Sequence, residues 1–556
     1  EGVLPRDEKI KIGVIHNSWQ RELLLQEYTL PEVGLENSQI NIPIRSSKAF
    51  ELTNTGNWST KHYLPMGYIS NTETNSMIFW QIEHNGSWHS EISDLTNHLY
   101  LQISGPTDIH SHWHKKLEPG ERFTTVPAGV GAVTGNLGDM ARELTSYRRV
   151  IRRKNKDNEN LGIIFNDYMN CLWADPTTEK EFPLIDAAAK AGCEYFCIDA
   201  GWYADGFWWD AVGEWQPSGK RFPGGIKEVI DYIRSKGMIP GLWLELEVMG
   251  IKCPMVEKMP EKAFFHRFGK RVFDRSRYQL DFRQPEVIAH ATGVIDRLVN
   301  EYGIGYIKMD YNIEPGVGTE IDAESAGEGL LEHERAYLEW LDSIFKKYPD
   351  LIIENCSSGG LRMDYAMLSR YSIQSTSDQE DYRCYATIAA NAPLGVTMEQ
   401  AAVWSYPKSG ADEEETIFNM VNALLLRIHQ SGHLAEITDV QKALVKEALD
   451  YYKTIRNDIK KAYPYWPLGT SHYTDDWCAL GLDAGKKQYL SVWRRSGKEN
   501  QIIPLPQLKG KAVKVRCAYP QNRPASYQWN EAAGTLSVKL EKVPCARVFE
   551  IEYTEA

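Results

Sequence analysis

From about residue 160 to residue 455, short apolar runs alternate with amphipathic stretches. The runs are 161-LGIIF-165, 194-EYFCID-199, 238-MIPGLWLE-245, 305-GYIKMD-310, 351-LIIENC-356 and 372-SIQSTSD-378, with two less distinct ones near 395-GVTMEQAAVW-404 and 425-LLRIHQSG-432. Between them, 182-FPLIDAAAKAG-192 and 225-GIKEVIDYIRSKG-237 carry the apolar spacing of helices, the second ended by Gly237. Near-continuous apolar strands joined by helices predict a parallel sheet covered on its faces. A span of about 300 residues suits one (β/α)8 barrel with insertions.

The flanks have another texture. Residues 1–150 read as β-rich, with aromatic and β-branched segments such as 76-SMIFWQIEHNG-86 and 96-TNHLYLQISG-105 bounded by Asn and Gly turns. The run 110-HSHWH-114 sets three histidines on one face of an expected strand. A metal site there is the less favoured reading, because ligands usually converge from separate elements. The segment 129-GVGAVTG-135 has the wrong glycine spacing for a dinucleotide loop, and no clear helix is expected after it. A basic helical stretch, Leu144 to Lys154, leads into the barrel pattern. After about residue 465 strands return, as in 488-QYLSVWRRSG-497 and 547-RVFEIEYT-554. The expected layout is a β domain over 1–150, the barrel over 151–460 and a small β domain over 461–556, within the roughly two to four domains this length allows.

A net charge of −13, spread without an acidic or basic block, disfavours nucleic acid and an anionic membrane as partners. No apolar run approaches the ~20 residues of a membrane-spanning helix. Nine cysteines without a CxxC pair give neither a zinc spacing nor a disulfide framework. The chain opens with EGVLPRDEK, without Met or a visible signal peptide, so a processed or truncated product is expected and no compartment follows. Seventeen Trp and 29 Tyr suit the aromatic faces that hold sugars, although rings fill cores equally well.

Several strands end in polar groups: Asp199, Glu245, Asp310, Cys356 and Asp378. Strand C-termini of such a barrel face the mouth where active sites sit. Lys308 lies two residues before Asp310 and shares its inward face, which favours an ionised carboxylate suited to nucleophilic attack. Asp378 comes two strands further on. Two carboxyls about 5 Å apart across a sugar ring are what a retaining glycosidase needs. A buried Lys–Asp pair plus a capping Asp is the plainer alternative.

The ordered segments 198-IDAGWY-203, 241-GLWLELEVM-249, 277-RYQLDFRQPEV-287, 306-YIKMDYN-312, 354-ENCSSGGLRMD-364 and 375-STSD-378 resemble the α-galactosidases of glycoside hydrolase family 36, in the clan shared with families 27 and 31. In the first 150 residues, 80-WQIEHNGSWHSEI-92 and 117-LEPGERF-123 look like that family's N-terminal β-sandwich. The resemblance implies Asp310 as nucleophile beside Lys308, and Asp378 as acid/base. It also implies substrate contacts from Asp199, Trp202, Trp243, Arg277, Cys356, Gly359 and Gly360. Two departures stand out. Ala200 replaces the second Asp of the usual Asp-Asp-Gly-Trp, and Tyr168 stands where a Trp is usual. Asp205 and Asp210 are candidates to supply the missing carboxylate. The implied activity is exo-acting, retaining release of a terminal galactose from an oligosaccharide or glycoconjugate, with no metal or cofactor. An α-N-acetylgalactosaminidase or other galacto-like glycosidase is the first alternative, and a non-catalytic sugar-binding protein on the same barrel the second. The resemblance further implies an oligomer, though a shortened sandwich removes contacts.

Overall fold

The computed structural model describes residues 9–35, 45–95 and 98–553. Eight parallel strands close into a barrel in chain order: Ile164–Asn166, Tyr195–Ile198, Ile239–Leu244, Tyr306–Met309, Ile352–Asn355, Ile373–Ser375, Ala401–Ser405 and Arg427–Gln430, the last pairing with the first. The two less distinct runs are thus strands, but each is shorter than its apolar stretch. Residues up to Gly395 belong to the preceding helix, and Gly432 has already turned back with φ +80°. Helices such as Thr178–Ala191, Ile226–Ser235, Pro285–Arg297 and Ala326–Lys347 cover the outside. They present Leu184, Ile185, Val229, Ile233, Val294 and Ile295 to one core continuous with the strands' outward residues.

Alternation along the strands explains what lies inside the barrel. Tyr195, Cys197, Tyr306, Ile352 and Ile373 form a separate interior cluster. Two or four residues on, the same faces carry Asp199, Lys308, Asp310, Glu354 and Cys356. The barrel is therefore plugged by apolar side chains below and opens on charged ones above.

Before it, a five-stranded antiparallel sheet (Leu24–Thr29, Ile10–His16, Tyr63–Asn71, Ser76–Ile82, Ala128–Thr134 in spatial order) faces a three-stranded one (Arg45–Asn54, Trp88–Leu95, His98–Ser104). Ile10, Ile12, Val14, Trp80 and Ile82 meet Leu52, Trp88 and Ile92 between them. The larger sheet's other face, with Leu25, Leu64, Met66 and Phe79, joins the barrel's core. Thr96 and Asn97, expected in a strand, lie outside the described residues, as do the first eight. After the barrel, the strands Tyr463–Tyr465, Trp477–Asp483, Lys487–Arg494, Cys545–Tyr553 and Val513–Tyr519 pack on a second, three-stranded sheet.

Three local expectations fail. The histidine run is no strand: Thr107 caps a one-turn helix, Asp108–Ser111, and His112 follows it in a left-handed conformation, φ 49°. The histidines therefore do not share a strand face. The glycine-bearing segment 129–135 is a strand that a helix, Leu137–Ile151, does follow, started by a capping box between Asn136 and Asp139. The third is the run 372–378, whose strand stops at Ser375 and leaves Asp378 in the loop beyond it. Among the described residues no helix is long and apolar enough to cross a membrane.

Candidate active site

A cavity of about 500 Å3 opens at the C-terminal end of the barrel strands, lined by Asp199, Ala200, Trp243, Lys308, Asp310, Asn312, Ser358 and Asp378, among others. Asp310 directly follows the fourth strand, Tyr306–Met309, and its carboxylate accepts three N–H groups. Oδ1 takes the amides of Tyr311 (2.8 Å) and Ser358 (3.2 Å), and Oδ2 takes the Trp243 indole (3.1 Å).

Asp378 lies three residues beyond the sixth strand, Ile373–Ser375, in the loop that follows. Its Oδ2 accepts the indole N–H of Trp19 at 3.0 Å. Burial, then the charge of Asp310, push its carboxyl up to about 6. The loop that carries it is seated on glycine. A Cβ on Gly359 would stand 2.6 Å from the Asp378 amide nitrogen, and φ there is +74°. No side chain fits that approach.

Lys308 does not pair with Asp310 as its spacing suggested. Its Nζ bonds Asp199 Oδ2 at 2.8 Å, across the barrel from the fourth strand to the second. Asn166 Nδ2 meets the same oxygen at 2.6 Å, and the Ala200 amide meets Oδ1 at 2.8 Å. Burial opposes the lysine's charge, yet Asp199 and its carboxylate neighbours hold it well above the usual lysine value. A charge-balanced Lys–Asp pair thus floors the cavity.

Aromatic rings wall it. Trp243 packs edge-on against Trp208, with centroids 5.5 Å apart, and stacks on Tyr203 at 6.1 Å. Tyr168 lines the cavity and stands edge-on to Trp173 at 5.5 Å. Trp202 is fully buried behind this wall, donating its indole N–H to the Trp243 carbonyl at 2.9 Å.

Arg277 is likewise buried and does not line the cavity. It pairs with Glu245, which accepts the Asn312 amide at 2.6 Å, so it reaches the site through Asn312. The arginine that lines the cavity is Arg275, at a hairpin tip with φ 47°. Cys356, Gly359 and Gly360 lie behind Ser358 and Leu361, the residues of that stretch that line it. Asp205 and Asp210 do not replace the absent carboxylate. Asp205 accepts the Ser218 hydroxyl at 2.5 Å, and Asp210 pairs with Lys252 at 2.8 Å.

One group of metal-capable side chains occurs among the described residues, Glu247, His333 and Glu334, and it is closed to a cation. Burial lowers the pKa of the His333 ring, but hydrogen bonding to Asp281 and Glu247 outweighs it and raises the ring to about 9, so it holds the protons that a cation would have to displace. Arg362 already binds both Glu247 oxygens.

Residues 123–462 match the family described as Melibiase, more than half of this chain. The chain belongs to the Melibiase family. It is 27% identical over 269 residues to alpha-galactosidase Mel36A of Lactobacillus acidophilus, covering 47% of this chain and 36% of that protein. To alpha-galactosidase 1 of Pediococcus pentosaceus it is 24% identical over 377 residues, covering 65% and 50%. The chain therefore matches half or less of the length of these curated relatives. Its fold superposes on GH36 alpha-galactosidase AgaA of Geobacillus stearothermophilus with TM-score 0.82 and 15% identity, over 99% of this chain and 76% of that one. The galactosidase domain of the alpha-galactosidase-sucrose kinase AgaSK gives TM-score 0.82 at 20% identity, over 98% and 74%. Likeness at that identity shows a shared fold.

Several cavity residues of this Melibiase chain escape a reading of the barrel motifs. Asn312 and Ser358 lie inside quoted motifs and were within reach. Trp208 and Trp209 sit in an aromatic-rich loop after the second strand. Trp19 and Trp58 come from the N-terminal sandwich, and no local pattern announces that they reach the barrel mouth.

Proposed function

We propose that this chain is a retaining, exo-acting α-galactosidase that releases terminal α-linked galactose from oligosaccharides. The observation that carries the reading is the pair Asp310 and Asp378 in one cavity, the first held by three N–H donors, the second pushed toward its protonated form. Family membership and the names of the relatives support the sugar, and a solved AgaA variant holds raffinose. A cavity of about 500 Å3, floored by Lys308 and Asp199, suits one sugar ring entering from the chain end.

In the first step an Asp310 oxygen attacks the anomeric carbon as its bond to the leaving oxygen breaks. Asp378 gives its proton to that oxygen, and the leaving group departs as an alcohol. The galactosyl group is then an ester of Asp310. In the second step Asp378, now ionised, takes a proton from water, whose oxygen attacks the same carbon and frees Asp310. Two inversions retain the configuration. Trp243 N–H binds Asp310 throughout. The Lys308–Asp199 pair offers a donor and an acceptor to the sugar's hydroxyls.

Replacing Asp310 by Ala should abolish turnover of p-nitrophenyl α-galactoside, and added azide should restore release of p-nitrophenol with β-galactosyl azide as product. In Asp378→Ala, azide should give the α-azide from an activated substrate. Unimpaired hydrolysis by Asp310→Ala would sink the assignment, and a panel of other p-nitrophenyl α-glycosides checks the sugar.

A further inference from the structure

Glu22 belongs to neither carboxyl pair nor any motif discussed so far. It sits in the turn between the sandwich strands Ile10–His16 and Leu24–Thr29, fully buried, against the loop that carries Asp378. The groups that hold its carboxyl are neutral. Ser377 Oγ donates to Oε2 at 2.5 Å, and the Gln20 amide donates to Oε1 at 3.2 Å. A buried carboxyl with no counter-ion is unfavourable, and an apolar side chain would fill the space at less cost.

The surroundings suggest what it does. Ser377 Oγ also accepts the Gln379 amide at 3.0 Å, so that its hydroxyl proton is free for Glu22. Gln20 Nε2 donates to the Asp378 carbonyl at 3.0 Å, and Gln379 Nε2 donates to the Gln20 carbonyl at 2.9 Å. Asn17 Nδ2 holds the Gly360 carbonyl at 2.9 Å, and a Cβ on Gly360 would lie 3.0 Å from Glu22 Cγ. The backbone before, at and after Asp378 is thus fastened to one sandwich turn. Trp19 of the same turn reaches the Asp378 carboxyl itself, and the Ser377 hydroxyl, with Glu22 as its acceptor, fixes the backbone just before it.

We infer that Glu22 is a positioning residue for Asp378, fixing the Ser377–Asp378–Gln379 backbone through the Ser377 hydroxyl so that the acid/base carboxyl meets the leaving oxygen. The inference rests on the reading of Asp378 as the proton donor. Proton donation counts most when the leaving group is a poor one, because a good one departs unaided. A small error in the acid's position therefore slows the first step on a sugar–sugar bond and spares the first step on an activated aryl glycoside.

The test compares kcat/KM, which reports the steps up to departure of the leaving group, on an unactivated α-galactosyl disaccharide and on 2,4-dinitrophenyl α-galactoside. In Glu22→Ala and in Ser377→Ala, the loss on the disaccharide should exceed that on the aryl glycoside by tenfold or more. Glu22→Gln, which keeps a neutral acceptor for Ser377, should recover most of the disaccharide rate. Equal losses on both substrates, or Glu22→Gln no better than Glu22→Ala, would overturn the inference. If Glu22→Ala does not fold, Ser377→Ala and Glu22→Gln carry the same comparison. Asp378→Ala is the control: without a leaving-group dependence of its own, the reading of Asp378 fails rather than the role of Glu22.

Discussion

Three N–H donors end on Asp310, while Asp378 receives one, the indole of a partly exposed tryptophan. In the proposed reaction Asp378 must start protonated, and burial first, then the Asp310 charge, raise it to about 6. The protonated form is therefore present below that value and lost as pH rises through it. The alkaline limb of kcat/KM should bend near pH 6, and a limb near pH 4 would contradict the assignment. Asp310 was legible from its place at a strand end, and Asp378 from the run it closes, although the strand itself stops at Ser375. The partner of Lys308 was not. Its position two residues before Asp310 fixes a shared face, but Asp199 is brought within 2.8 Å only by closure of the barrel. For the same reason Arg277 reads as a sugar contact in its motif, although Glu245 and a layer of indoles keep it from the cavity.

At the scale of elements, the loop after the fifth strand sets the place of the loop after the sixth. Gly359→Ala would put a methyl group 2.6 Å from the Asp378 amide at a backbone φ of +74°. Overpacking and a left-handed alanine together should cost about 2–4 kcal/mol. Urea unfolding should show that loss, and disaccharide turnover should fall at least tenfold. Barrel strands and their helices were readable because apolar runs and helical spacing agree along them. Where they do not agree, the sequence misled: alternation in 110–114 gave way to the Thr107 cap, whose side chain accepts the His110 amide. The helix after residue 135 had its signal, Asn136 three residues before Asp139, beside a glycine-rich strand that drew attention away from it. A second consequence at this scale concerns the helix Glu413–Ala423. Glu414 holds Arg547 of the C-terminal strand Cys545–Tyr553 through two bonds, 2.8 and 3.0 Å, both partners buried. Glu414→Ala leaves a buried guanidinium unpaired and should destabilise by about 3–5 kcal/mol, while Glu414→Ala with Arg547→Met should recover much of it, measured by chemical denaturation.

For the whole molecule, several carboxyls are buried so deeply that desolvation raises them more than nearby charges lower them. Burial lifts Glu22 to about 8 and Glu354 to about 7, and raises Asp167 and Glu181, which face each other beneath Asp199. Each binds a proton more tightly folded than unfolded. The stability this lends is complete below the unfolded value, near 4.5, and lost as pH rises through the folded one. Buried histidines such as His84 and His429, whose burial lowers their pKa, act the other way below about 6.5. Thermal midpoints should therefore fall between pH 7 and pH 8, and a midpoint rising over that range would contradict these protonation states. The sandwich turn 17–23 has a consequence in time. The two carboxyls of the proposed reaction both lie on the barrel, yet one of them is held in place by contacts from the sandwich turn. Larger chains fold unit by unit. Activity should therefore return after denaturation no sooner than the sandwich docks on the barrel, which regain of activity timed against regain of barrel structure would check.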